Sequence, residues 1–221
     1  MSATVDVEAM SPQDRARYER KREHEFYRFD RTQIPLARPT LSQTPSSYYE
    51  PLRILAGSDI KWTDLNSPES IAQHVPTSST DRALTAFCQL AALRLKARRA
   101  MIFCFDSQHA YILGEATQTL SFEDDDIHDN GDGLWLGMTK IPRGSTVCEH
   151  TVNLPVNRGS NAKEDTAAKI HILNDLREDN RFCDESYVVG GIKARFYAGV
   201  PITTAKGLNI GAFVSDNLEH R

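Results

Sequence analysis

The chain has 221 residues, 40% hydrophobic and 25% charged, with a formal net charge of −4. That length suits one domain with an extension, or two small ones, and leaves enough apolar residues for a core. The acidic balance sets aside nucleic-acid and membrane-surface partners. No run approaches the ~18 apolar residues of a membrane helix. The polar N-terminus with Ser2 carries neither a secretory signal nor a myristoylation glycine, so the cytoplasm is the expected compartment.

Residues 1–51 read as an N-terminal extension. The stretch 12–31 is dense in charge, and Arg15 with Glu19 and Lys21 with Glu25 take the i, i+4 spacing of an exposed helix. The favoured reading is a solvated lead-in helix. The other reading is a partner-facing stripe of Tyr18, Phe26, Tyr27 and Phe29. Pro35, Pro39, Pro45 and Pro51 mark an extended strap. Residues 52–79 form a lead-in segment of mixed pattern, and residues 80–221 the main domain.

That domain opens with a predicted helix from Asp81 to Arg98, capped by Ser79 or Thr80. Its expected buried face is Leu84, Phe87, Cys88, Ala91 and Leu95. The period then changes. Ala100–Asp106 and Ala110–Glu115 read as strands joined at Ser107–His109, and Ala194–Pro201 and Asn209–Asp216 as two more around Lys206-Gly207. Thr146–Val152 and Lys169–Leu173 are short segments of open state, and residues 155–168 a polar insertion. Hairpins with intervening helices argue for an α+β fold with an antiparallel sheet.

Few patterns carry chemistry. Phosphate loops, dinucleotide fingerprints and zinc-protease or nucleophile-elbow motifs are missing from the sequence. The acidic loop Glu123–Gly133 reads as solvated. An EF-hand register from Asp126 would put His128 and Gly137 where oxygen ligands are needed, so no metal is expected. Cys88, Cys104, Cys148 and Cys183 are scattered and read as free thiols. Cys148 and His150 would share one face if their segment were a strand, with Glu149 on the other. That pairing is either a reactive thiol beside an imidazole or a buried Cys with a hydrogen-bonded His. Asp175, Asp179 and Arg181 read as a loop fixed by Asp caps and an ion pair.

The segment ILNDLREDNRFCDESYVVGGIKARFYAGVPITTAKGLNIGAFVSDN, with IPRGSTVCEHTV upstream, resembles the GAF family in the order of its elements. The likeness covers roughly residues 80–216. Its flavour is closest to the GAF regions of fungal hybrid sensor histidine kinases. The resemblance implies a GAF-like central antiparallel sheet of about six strands flanked by helices, a ligand cleft beside the sheet, and helices that dimerise. It implies a sensory domain of a two-component phosphorelay protein, a homodimer with output kinase domains in a longer parent. The phosphoacceptor, ATP-binding and receiver parts are not in this sequence, so no catalysis is expected of it. The motif segments place Cys148, His150, Asp175, Arg181, Arg195 and Tyr197 near the family's cleft, with ligand and cofactor open. Arg195 and Tyr197 would share a strand face, with Phe196 opposite.

The same family implies three alternatives. One is free methionine sulfoxide reduction at Cys148, although Met138 replaces the partner thiol and Glu149 the following glycine. Another is bilin attachment at Cys148 or Cys183. The third is a ligand-free dimerisation scaffold.

Overall fold

A computed structural model describes residues 7, 9–33, 74–129, 131–144, 146–156 and 169–217. The strap after residue 33, the lead-in up to residue 73 and the insertion from 157 to 168 lie outside the described residues.

The fold is organised by β1 (Arg99–Phe105), whose seven residues are all buried. A strand covered on both faces reads as a continuous apolar run, as RAMIFCF does. It turns into β2 (His109–Thr117) through Asp106, whose Oδ1 accepts from the backbone N–H of Gln108 at 2.7 Å and of His109 at 2.6 Å. An Asp side chain that mimics a backbone turn in this way fixes the hairpin locally. The remaining strands are β3 (Lys140–Pro142), β4 (His171–Leu173), β5 (Phe196–Thr203) and β6 (Asn209–Asn217). Together they form a six-stranded sheet in the order β3-β2-β1-β6-β5-β4. Every neighbouring pair is antiparallel. The architecture is thus the α+β class expected, with helices on both faces.

Alternation along β1 divides the core. Ala100, Ile102 and Cys104 face two long helices, α1 (Pro12–Gln33) and α2 (Arg82–Leu95). Met101, Phe103 and Phe105 face the short α3 (Val147–Val152) and α4 (Ser186–Val189), with the helical turn Leu176–Glu178 between them in sequence.

α2 departs from expectation in its cap and its buried face. Asp81 caps it, accepting from the N–H groups of Ala83 at 2.9 Å and Leu84 at 3.3 Å, while Ser79 Oγ accepts from Asp81 N–H. The buried residues are Thr85, Cys88 and Ala92, whereas Phe87 and Leu95 are 62% and 61% exposed. The reason is close approach to β2. A Cβ on Gly114 would lie 3.2 Å from Leu84 Cβ and 3.4 Å from Cys88 Sγ. The absence of a side chain at Gly114 lets Leu84 and Cys88 approach β2, and Phe87 and Leu95 turn outward.

α1 corrects the favoured reading of a solvated helix. Tyr18, Arg22 and Phe26, spaced four apart, are buried. Phe26 packs among Cys104, Tyr111 and Ile210, and Tyr18 against Val7 and Leu208. Tyr27 O–H donates to Asp106 Oδ2 at 3.0 Å. These three aromatics serve the chain's own sheet; the side chain of Phe29 is outside the description. Among the described residues no helix is long and apolar enough to cross a membrane.

Candidate functional site

The site begins with a buried ion pair. Arg99, the first residue of β1, pairs with Glu115 of β2 at 2.8 Å, and both are almost wholly enclosed. Glu115 also accepts from the backbone N–H groups of Trp135 at 2.6 Å, Leu136 at 3.0 Å and Gly137 at 2.6 Å. One carboxylate therefore fastens an irregular loop across the sheet. Gly137 lets that loop pass residues 74–80. It has φ +62°, and a Cβ there would meet the Thr77 backbone at 2.5 Å. Met138 N–H donates to Thr77 O at 2.7 Å, and a ring nitrogen of His74 lies 2.8 Å from Leu136 O.

Beneath this loop the sheet, α3 and α4 enclose a cavity of about 60 Å³. That is room for a few water-sized groups. Its walls are almost entirely carbon and sulfur, contributed by residues such as Phe103, Val147, Cys148, Leu176 and Tyr197. Trp135, Thr146 and Asp216 line it as well, and each carries a polar atom shut off from solvent without a hydrogen-bond partner: Trp135 Nε1, Thr146 Oγ1 and Asp216 Oδ1. Such atoms are rare in native proteins and each costs about 1–3 kcal/mol. Burial pushes the Asp216 carboxyl up to about 6; Glu115 adds to the rise, and Arg99 and Arg98 oppose it.

The six anticipated residues separate. Cys148 and Tyr197 are brought together on the cavity wall. Thr151 Oγ1 joins Tyr197 O–H at 2.6 Å to His171 Nδ1 at 3.1 Å. Burial pushes the Cys148 thiol up to about 12 and the Tyr197 phenol well above its ordinary range. At neutral pH both are therefore protonated, and Cys148 is a poor nucleophile.

His150 points elsewhere. Its segment is the helix α3 rather than a strand, so residues two apart lie on opposite sides. The His150 ring meets Phe182 edge-on with centroids 5.3 Å apart. Asp175 and Arg181 are loop-fixing groups outside the cavity. Asp175 accepts from Arg177 N–H at 3.0 Å and pairs with the Arg177 guanidinium at 2.5 Å. Arg181 pairs with Asp179 at 2.7 Å, and its guanidinium lies over the Phe182 ring. What the loop delivers to the site is Leu176, 1% exposed.

Arg195 does not share the cavity face with Tyr197. Strand pairing starts only at Phe196, so the alternation does not reach back to Arg195. Its guanidinium donates to Val188 O at 2.8 Å, at the C-terminal end of α4, where cations are favoured. Phe196, expected on the far side, also lines the cavity.

The acidic loop is built in rather than merely solvated. Asp125 accepts from Ser78 N–H at 2.5 Å, and Asp132 Oδ2 from Thr119 N–H at 2.9 Å. Among the described residues no three His, Cys, Asp or Glu side chains gather as a metal-binding group.

No family model matches the chain. A curated cyclic di-GMP phosphodiesterase of Pseudomonas aeruginosa is 47% identical over 88 residues, 40% of this chain and 13% of that protein. The chain thus matches only a small part of that relative's length. Among solved structures, the blue-light-absorbing PixJ GAF domain of Thermosynechococcus elongatus is 13% identical, with a TM-score of 0.43 over 63% of this chain and 71% of its own. A phycoerythrobilin-bound GAF domain of a cyanobacterial phytochrome is 16% identical, with a TM-score of 0.42 over 74% and 84%. Free methionine-R-sulfoxide reductase from Neisseria meningitidis is 13% identical, with a TM-score of 0.38 over 83% and 81%. None of these likenesses is close enough to transfer a ligand or an activity to this chain.

Proposed function

We propose that the chain is a GAF-type sensory domain that takes a small ligand into the cavity beneath α3. The observation that carries the reading is the cavity itself, an apolar space among whose lining residues Trp135, Thr146 and Asp216 each keep a buried polar atom without a partner. A ligand with a carbon body and a hydrogen-bonding end would gain from both features. The motif order from IPRGSTVCEHTV to IGAFVSDN and the six-stranded antiparallel sheet support the family reading.

The output route runs through α1. Glu149 of α3 accepts from Arg143, which also donates to Glu19 of α1 at 2.9 Å. Arg22 of α1 donates to Asn153, just after α3, at 3.1 Å. A ligand that shifts α3 therefore acts on the N-terminal helix, a population shift rather than a reaction. The histidine-kinase output of fungal type is the sequence resemblance's contribution, and a phosphodiesterase output is that of the curated relative. A homodimer and a cytoplasmic setting belong to the same proposal.

The test uses phenol as probe, its ring for the apolar wall and its hydroxyl for Asp216. Amide hydrogen exchange in α1 should slow or quicken on saturation with phenol, and this response should vanish in Arg143→Met. Phenol bound in the cavity with α1 exchange unchanged would refute the route.

A further inference from the structure

A second site lies on the other side of the sheet, where α1 meets the β5–β6 turn. Arg17, Arg20, Lys21 and His24 fall three and four residues apart, so they share one face of α1. With Lys206 and Leu208 of the turn they wall a groove of about 550 Å³. Burying Tyr18, Arg22 and Phe26 on the opposite side fixes which face α1 presents to this groove.

The pairing of charges is lopsided. Every acid on α1 with a described side chain already has a partner within the protein. Asp14 accepts from Ser11 O–H, Glu19 from Arg22 and Arg143, Glu23 from Ser107 O–H, and Glu25 from Lys206 at 2.5 Å. Glu25, the acid within the groove, is also approached by His24 and Arg28 at 3.8 and 3.7 Å. Arg17, Arg20 and Lys21 are exposed and have no ion-pair partner among the described residues. Like charges three and four apart on a helix repel, at a cost of a few tenths of a kcal/mol per pair. Here they are stacked on a chain whose overall charge is −4.

We propose that this groove binds a free, multiply charged phosphate ligand of the pyrophosphate or nucleoside polyphosphate kind. Two guanidiniums offer paired N–H donors that match phosphate oxygens, and Lys21 adds a compact charge. Three unbalanced cations call for an anion of charge −2 or more, which a phosphate supplies and a single carboxylate does not. This site is independent of the cavity beneath α3 and stands or falls without it.

The test is calorimetric titration of the full chain with inorganic pyrophosphate at low ionic strength. Binding is expected, weakening as salt rises. The exposed triple variant R17Q/R20Q/K21Q, its fold confirmed by circular dichroism, should bind at least about tenfold more weakly, the loss of several charge-assisted hydrogen bonds. Phosphatidylserine vesicles serve as a second probe. Adhesion to vesicles without pyrophosphate binding would overturn the proposal in favour of a surface-binding patch. Equal binding by the triple variant, or no binding to either probe, would overturn it outright.

Discussion

Arg143 holds Glu19 at 2.9 Å across 124 residues of sequence, and the same guanidinium holds Glu149 at 2.8 Å. It also donates to Asp106 O at 2.8 Å. One side chain thus ties the N-terminal helix, the β1–β2 turn and the cavity helix together. Arg143→Met should cost about 3 kcal/mol in denaturant unfolding, because Glu149 keeps its charge in a sheltered place without its ion-pair partner and Glu19 is left with Arg22 alone.

Glu115 offers a sharper contrast. In Glu115→Ala, Arg99 is left buried without its ion-pair partner and three N–H groups of the 135–137 loop lose their acceptor. A loss of about 3–5 kcal/mol is expected. Removing both charges in R99M/E115L often restores stability in buried pairs. Here it should not, since the loop N–H groups remain unsatisfied. Full recovery in the double variant would show that the loop does not depend on the carboxylate.

Gly137→Ala tests the crossing of that loop over residues 74–80. Both the positive φ and the Thr77 backbone oppose a Cβ. The expected cost is about 2 kcal/mol or more, read as a lowered melting temperature with the fold retained.

The pH dependence separates two kinds of carboxyl. Asp216 has a raised folded-state value, about 6, so between pH 4 and 6 the native state holds a proton that the unfolded chain has released. Stability from this group falls as pH rises through that window and is level above it. Asp175 and Asp179 are lowered to about 2 by Arg177 and Arg181 respectively. Their small contribution is present above pH 4 and is lost as pH falls through 4 to 2. Melting temperatures from pH 3 to 8 should show the falling segment between 4 and 6 in the wild type. Asp216→Asn should flatten it and leave the acid limb in place.

Much of the sheet was legible in the sequence because β1, β2, β5 and β6 are apolar runs bounded by turn residues. The hairpin turns at Asp106 and Gly207 follow from local chemistry alone. What was not legible depended on distant partners. Arg22 and Glu19 read as solvated charges because nothing nearby in sequence reveals Asn153 or Arg143. Leu84, Cys88 and Ala91 of the expected α2 face do pack inward, whereas Phe87 and Leu95 do not, because the close approach to Gly114, far along the chain, leaves no mark on the local period. At the site, Cys148 and Tyr197 lay on motif segments, but Trp135, Thr146 and Asp216 were passed over. Asp216 did carry a signal, a carboxylate ending the apolar run IGAFVSD.

The central claim is a ligand cavity beneath α3, and native mass spectrometry of the purified chain with added phenol addresses it most directly. The wild type should carry bound phenol, or a retained molecule that denaturation releases. Ala194→Leu, which fills the space, should carry neither. A wild-type mass equal to the bare chain at every phenol concentration, or equal uptake by Ala194→Leu, would contradict the account.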